Sequence, residues 1–291
     1  MFTGLNEILD DARKNKYAVP AFDVSNYEMI KTVLEVCEEE GSPAILMGLK
    51  TNLNGRGLPM LTALAKAGAD TVKIPVCLHL DHATETDDIK AAIDAGFSSV
   101  MYDGSMLPFE QNAANTKEIA EYAHKKGVSI EAELGHVCNA IAGTDASISE
   151  SIEENPEDSL TDAAEVEKFI DITNVDALAV AIGTAHGVYK STPVLRFDRL
   201  EQINSVSKKP LVLHGGSGTP DKDVQKAIAL GITKINVFSE LLYGLNTGLK
   251  EKLCSIENMS MWPAFVYETA IQNMRECVRN KIKVFGSGKR V

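Results

Sequence analysis

Three histidines close short apolar runs. His82 ends Val76-Cys77-Leu78-His79-Leu80-Asp81-His82. His186 follows Ala177 to Gly183 and Thr184-Ala185. His214 ends Leu211-Val212-Leu213 and opens Gly215-Gly216-Ser217-Gly218. A continuous apolar run reads as a buried strand, and each of these stops at a polar, glycine-bearing turn. Ligands at the ends of several parallel strands converge on one point. Three neutral imidazoles with an open fourth position are the usual make-up of a catalytic zinc site.

The elements that must position these histidines alternate regularly. Strands are expected at 17–22, 43–48, 76–81, 98–102, 129–133, 177–182, 210–214 and 234–237. Helices are expected at 27–40, 58–67, 86–95, 109–126, 162–173, 198–207 and 221–230, with further helices after Leu241 and the last over 263–280. Eight strand–helix units in series predict one α/β domain over residues 1–291, a (β/α)8 TIM barrel with extra C-terminal helices.

Such barrels place chemistry at the C-terminal ends of their strands. Those ends here carry Asp81-His82, Asp103, Glu131 and Glu133, His186, His214 and Asn236. His79 lies inside its strand and reads as a core group. His124 sits beside Lys125 and Lys126 and reads as surface. His136 opens the loop after strand five and stays open between the two readings. Lys73 and Lys234 precede strand residues and end no strand at that face, which argues against a Schiff-base lysine.

A second signal is glycine with hydroxyl. Gly215-Gly216-Ser217-Gly218 can turn sharply and expose successive backbone N–H groups as an anion nest. Asn236-Val237-Phe238-Ser239 opens a helix, whose N-terminus favours phosphate. These turns follow strands seven and eight, where many barrels bind phosphate. The 135–159 stretch, rich in Glu, Asp, Ser and Asn, exceeds an ordinary connection. It is expected to be a mobile lid carrying an acid to the substrate carbon, with Glu150, Glu153, Glu154 and Glu157 as equal candidates.

The chain carries 29 basic and 41 acidic residues, a net charge of −12, with 44% apolar and 24% charged positions. That balance disfavours nucleic acid and anionic membrane surfaces. No apolar stretch reaches the roughly 20 residues of a membrane span. Five cysteines, with no CxxC pair, fit a reducing cytoplasm.

In combination, Pro20-Ala21-Phe22-Asp23-Val24-Ser25-Asn26, Leu78-His79-Leu80-Asp81-His82, Glu131-Ala132-Glu133-Leu134-Gly135, Ala179 to Gly187, Leu213 to Gly218, Lys234-Ile235-Asn236-Val237 and the tail Val284 to Gly288 resemble the class II, zinc-dependent aldolases of the fructose- and tagatose-bisphosphate type. The resemblance implies zinc on His82, His186 and His214, and a second, inner metal position at Asp103 and Glu133. A monovalent cation is a further cofactor that the resemblance allows. It implies that Asp81 handles the proton of the C4 hydroxyl. Gly187, Gly215, Gly216, Ser217, Asn236, Val237, Phe238 and Ser239 would bind dihydroxyacetone phosphate. The implied partner is a small phosphorylated sugar, and the implied assembly a homodimer or homotetramer.

Some positions depart from the family pattern. Asp23 stands where asparagine is usual. Phe238 replaces a smaller or acidic residue, Lys50-Thr51-Asn52-Leu53 replaces a serine- or glycine-rich turn, and the acids of the 135–159 loop come late. These changes leave the aldehyde half of the substrate open, including a longer or acidic ketose 1-phosphate. Two other readings stand beside the aldolase: a metallo-hydrolase on the same barrel, and a non-catalytic relative.

Overall fold

The computed structural model describes residues 2–139, 156–187 and 192–291. Eight parallel strands close into a barrel in sequential order: β1 (Val19–Asp23), β2 (Ala44–Leu49), β3 (Val76–Ala83), β4 (Ser99–Tyr102), β5 (Ser129–Leu134), β6 (Ala177–Val180), β7 (Leu211–Leu213) and β8 (Ile232–Val237). Each expected strand is present, with ends shifted by a few residues. β6 stops two residues early and β8 starts two earlier, so Lys234, the first residue of the expected strand, lies in the interior of the observed one.

Alternation along these strands divides the barrel into two zones. Outward residues such as Leu78, Ile130, Leu178 and Ile235 pack against the surrounding helices. Inward residues in the lower half are apolar: Val19, Ala21, Ile45, Met47, Cys77, Ala177, Ala179 and Val212. Higher up, the inward positions turn polar, with His79, Asp81, Glu131, Glu133, Lys234 and Asn236 all buried. The polar zone opens at the C-terminal mouth.

The helix Leu5–Asn15 closes the other end. Its buried face, Leu5, Ile8, Leu9 and Ala12, joins the lower barrel core. Sequence reading assigned no element there, although those positions carry helical spacing. The C-terminal helices are present in altered form. The expected 263–280 helix divides into Pro263–Val266 and Glu268–Phe285, and the second ends at Gly286 with φ of +73°. Helix Glu268–Phe285 packs against Ser239–Ser255 and against Tyr27–Glu40. A four-residue helix, Lys50–Leu53, follows β2, and a two-residue ladder joins Cys138–Asn139 to Ala185–His186. Neither was expected. No helix among the described residues is long and apolar enough to cross a membrane.

Candidate active site

Asp81 and His82 are adjacent, so a regular strand would point them to opposite faces. β3 avoids this with a bulge. Leu80 pairs with Val100 and Ala83 with Tyr102, so β3 spends one extra residue over this interval. A bulge of this kind re-aims side chains beside a site. His82 also takes a left-handed backbone, with φ of +46°, an uncommon conformation for a residue with a Cβ. Both side chains then serve the mouth. Asp81 Oδ1 accepts from Asn236 Nδ2 at 3.0 Å, and His82 Nδ1 lies 2.8 Å from Asp103 Oδ2.

The three strand-end histidines meet. His82 lies 4.7 Å from His186 and 4.5 Å from His214 between ring centroids. One ring nitrogen from each falls within a 4.8 Å cluster. Each ring also keeps a nitrogen without a hydrogen bond: His82 Nε2, His186 Nε2 and His214 Nδ1. His214 Nδ1 stands 3.3 Å from Glu133 Oε2 without an aligned hydrogen bond. Buried polar atoms are normally satisfied. Three such nitrogens facing one another fit a divalent cation with a preference for imidazole. His82, Asp103 and Glu133 form a second group of the same size.

On His82 and His214 the opposite ring nitrogen is held by protein, as expected around a metal centre. Asp103 takes His82 Nδ1 and also accepts the Ser105 hydroxyl at 2.6 Å and its amide at 3.1 Å. Ser105 Oγ in turn lies 3.0 Å from His136 Nδ1. Thus His136 reaches the site through Ser105 and Asp103, a link the sequence left open. His214 Nε2 lies 2.9 Å from Glu131 Oε1.

The charges are interdependent. Burial opposes protonation of His82, but Asp81 and the Asp103 hydrogen bond outweigh it and push His82 up to about 10. Burial, then the neighbouring His82 and His214, hold His186 well below the usual histidine range. Burial would raise Asp81, yet His82, His214 and Lys234 pull it below the usual carboxylate range. Asp23 goes the other way: burial and the nearby Asp81 push it well up, and its Oδ1 has no hydrogen-bond partner.

Beside the histidines, Gly187, Ser217 and Ser239 line a cavity of about 700 Å³, which Gly218 and Glu240 also border. Gly215 is left-handed, with φ of +65°, and a Cβ there would stand 2.4 Å from the Ala185 carbonyl. Gly216 has Ile235 Cγ2 at 2.5 Å from the same imagined atom. Both glycines therefore let the turn approach its neighbours closely. Ser239 opens the 17-residue helix Ser239–Ser255, so a helix N-terminus faces this cavity. Asn236 and Val237 stand apart from it. Asn236 contacts Asp81, and Val237 is buried in β8.

Other expectations divide. His79 is fully buried, its Nδ1 2.8 Å from Ser99 Oγ, and burial with Lys234 lowers it to about 3. His124 is at the surface, 3.0 Å from Asp176. Of the four lid acids, Glu150, Glu153 and Glu154 lie outside the described residues. Glu157 is described, in the short helix Pro156–Ser159, where it ion-pairs with Arg196. Sequence reading missed Ser105, Glu240 and the buried role of Lys234.

Residues 3–290 match the family description fructose-bisphosphate aldolase class-II. The chain belongs to the class II fructose-bisphosphate aldolase family. Its fold is similar to the YdjI aldolase of Escherichia coli K12, with 30% identity, a TM-score of 0.85, and coverage of 100% of this chain and 99% of that one. It is also similar to a Coccidioides immitis protein provisionally described as a fructose-1,6-bisphosphate aldolase, at 28% identity and TM-score 0.84, covering 98% and 97%. The fructose-bisphosphate aldolase of Campylobacter jejuni shares the fold at 22% identity and TM-score 0.82, covering 99% and 95%. The protein is therefore an aldolase, a carbon–carbon lyase acting on a sugar phosphate, from a family that is generally metal-dependent. That membership sets aside the hydrolase and the non-catalytic reading.

Proposed function

We propose that this aldolase is zinc-dependent. It splits a ketose 1-phosphate, or a 1,6-bisphosphate of the fructose or tagatose type, into dihydroxyacetone phosphate and an aldehyde such as glyceraldehyde 3-phosphate. The observation that carries this reading is the trio of clustered imidazoles, each with a buried, unpartnered nitrogen, beside an ionised Asp81.

His82, His186 and His214 would hold the ion, and Asp103 with Glu133 would offer a second position beside His82. When bound, zinc supplies Lewis acidity for the negative charge that develops on the ketone side. Asp81 accepts the proton of the C4 hydroxyl as the C3–C4 bond breaks, and the bonding pair stays with C3. In condensation it returns that proton to the aldehyde oxygen. Asn236 Nδ2 steadies Asp81 through one carboxylate oxygen and leaves the other for substrate. The turns bearing Gly187, Gly215, Gly216 and Ser217, with the helix N-terminus at Ser239, grip the phosphate and orient C3. The carbon proton of C3 is assigned to an acid of the 135–159 loop.

The test is a retro-aldol assay over a panel of ketose 1-phosphates, with triose phosphate detected by a coupled reductase. Dialysis against a chelator should abolish cleavage, and zinc should restore it. Cleavage untouched by chelation refutes the zinc reading. No triose phosphate from any ketose refutes the substrate reading.

A further inference from the structure

We propose that Lys234 is a positioning residue whose ammonium dictates which end of the Asn236 amide faces Asp81. The inference rests on the proposed role of Asp81 as base. Lys234 lies inside β8 and is fully buried. Its Nζ is 2.7 Å from Asn236 Oδ1, and 3.2 Å and 3.0 Å from the two oxygens of Glu131. Lys234 and Asn236 are two residues apart on one strand, so both point into the barrel.

An ammonium only donates. The Asn236 atom beside it must therefore be the amide oxygen, which leaves Nδ2 to face Asp81 Oδ1 at 3.0 Å. The flipped amide would set N–H against ammonium and oxygen against carboxylate, so both contacts would be repulsive. A second arm runs through Glu131, whose Oε1 lies 2.9 Å from His214 Nε2. That contact leaves His214 Nδ1 as the nitrogen turned to the cluster.

Stability alone does not account for this cation. Burying charge carries a desolvation cost, and well-packed apolar replacements of a buried ion pair are often neutral or stabilising. Its register partner on β7 is apolar Val212, which belongs to the same barrel core as Cys77 and Ala179. The ammonium instead links the proposed base and a proposed metal ligand, and it does so from beneath the site.

The experiment uses zinc-loaded enzyme and two reactions. Exchange of the C3 proton of dihydroxyacetone phosphate does not need Asp81, whereas cleavage does. Lys234→Met should lower kcat for cleavage by about 10- to 100-fold, a partial loss of the roughly 10²- to 10⁴-fold that a positioned acid–base group contributes, with KM and exchange within about threefold. The charge-balanced variant Lys234→Met/Glu131→Gln guards against misfolding and keeps an acceptor for His214; it should show the same split. In an Asn236→Leu background, Lys234→Met should cost less than about threefold more, because the lever has nothing left to move. Undiminished cleavage in the balanced variant overturns the proposal. So does an equal fall in both reactions, or a full additional loss in the Asn236→Leu background. Failure of the functional reading is separate, since it shows as absent exchange and cleavage in the unmodified enzyme.

Discussion

Replacing Asp81 with asparagine separates its chemistry from its place in the fold. The side chain is buried at 3% exposure, and its Oδ1 accepts one hydrogen bond from Asn236. Asparagine has the same shape and keeps an oxygen for that bond. What it lacks is a basic site. His82, His214 and Lys234 hold Asp81 below the usual carboxylate range despite burial, so the native group is ionised throughout the neutral range. A positioned base contributes about 10²- to 10⁴-fold, equivalent to roughly 2.7–5.5 kcal/mol of barrier. Asp81→Asn should therefore slow cleavage at least about 100-fold while zinc content stays near one ion per chain. Exchange of the C3 proton should fall less than about tenfold, because a different group removes that proton. The assay follows cleavage by coupled triose phosphate detection and exchange by loss of tritium or deuterium from dihydroxyacetone phosphate. Equal loss in both reactions makes Asp81 structural, and cleavage within about tenfold of the native rate removes it as the base.

Three further outcomes follow from the same geometry. Gly215→Ala should lower the melting temperature and weaken zinc retention, since a left-handed alanine costs about 1–2 kcal/mol and its Cβ presses on Ala185, next to His186; unchanged zinc content and melting would contradict the close approach. The apoprotein should lose stability toward both acid and alkali in urea titrations. His79 is lowered from an unfolded value near 6.5 to about 3, so its contribution is present above pH 6.5 and drains away as pH falls toward 3; His82 is raised to about 10, so its contribution is present below pH 6.5 and is lost as pH rises through about 10. A flat profile between pH 4 and 6.5 would remove the buried neutral His79. Asp23→Asn should leave the ratio of kcat/KM for glyceraldehyde 3-phosphate over unphosphorylated glyceraldehyde within about threefold, because burial and Asp81 already push the Asp23 carboxyl toward its neutral form; a rise of about tenfold or more would mean that Asp23 carries charge in the native enzyme.

The parts most legible in the sequence are those written in short range. Each β-strand carries its own apolar run and polar end, so the eight-unit order and the strand-end histidines could be read directly. Local reading failed where the cause is long-range or register-dependent. The bulge at Asp81 and His82 depends on pairing with β4, which no local pattern announces. Ser105 looks like an ordinary turn serine until Asp103 and His136 are placed on either side of it. Lys234 opens the expected eighth strand and does not end it at the active face, yet its spacing of two from Asn236 carries the signal that both share the inward face. Helix Leu5–Asn15 was passed over because its charged residues masked the 5, 8, 9, 12 periodicity that plugs the barrel.

The central claim is that His82, His186 and His214 together hold one catalytic zinc. A crystal structure of zinc-loaded enzyme, with anomalous data collected on both sides of the zinc absorption edge, tests it most directly. The account predicts a single strong zinc peak within about 2.0–2.1 Å of His82 Nε2, His186 Nε2 and His214 Nδ1, lost in a His186→Ala crystal. A zinc peak bound by other residues, or one that persists at full height without His186, would contradict it.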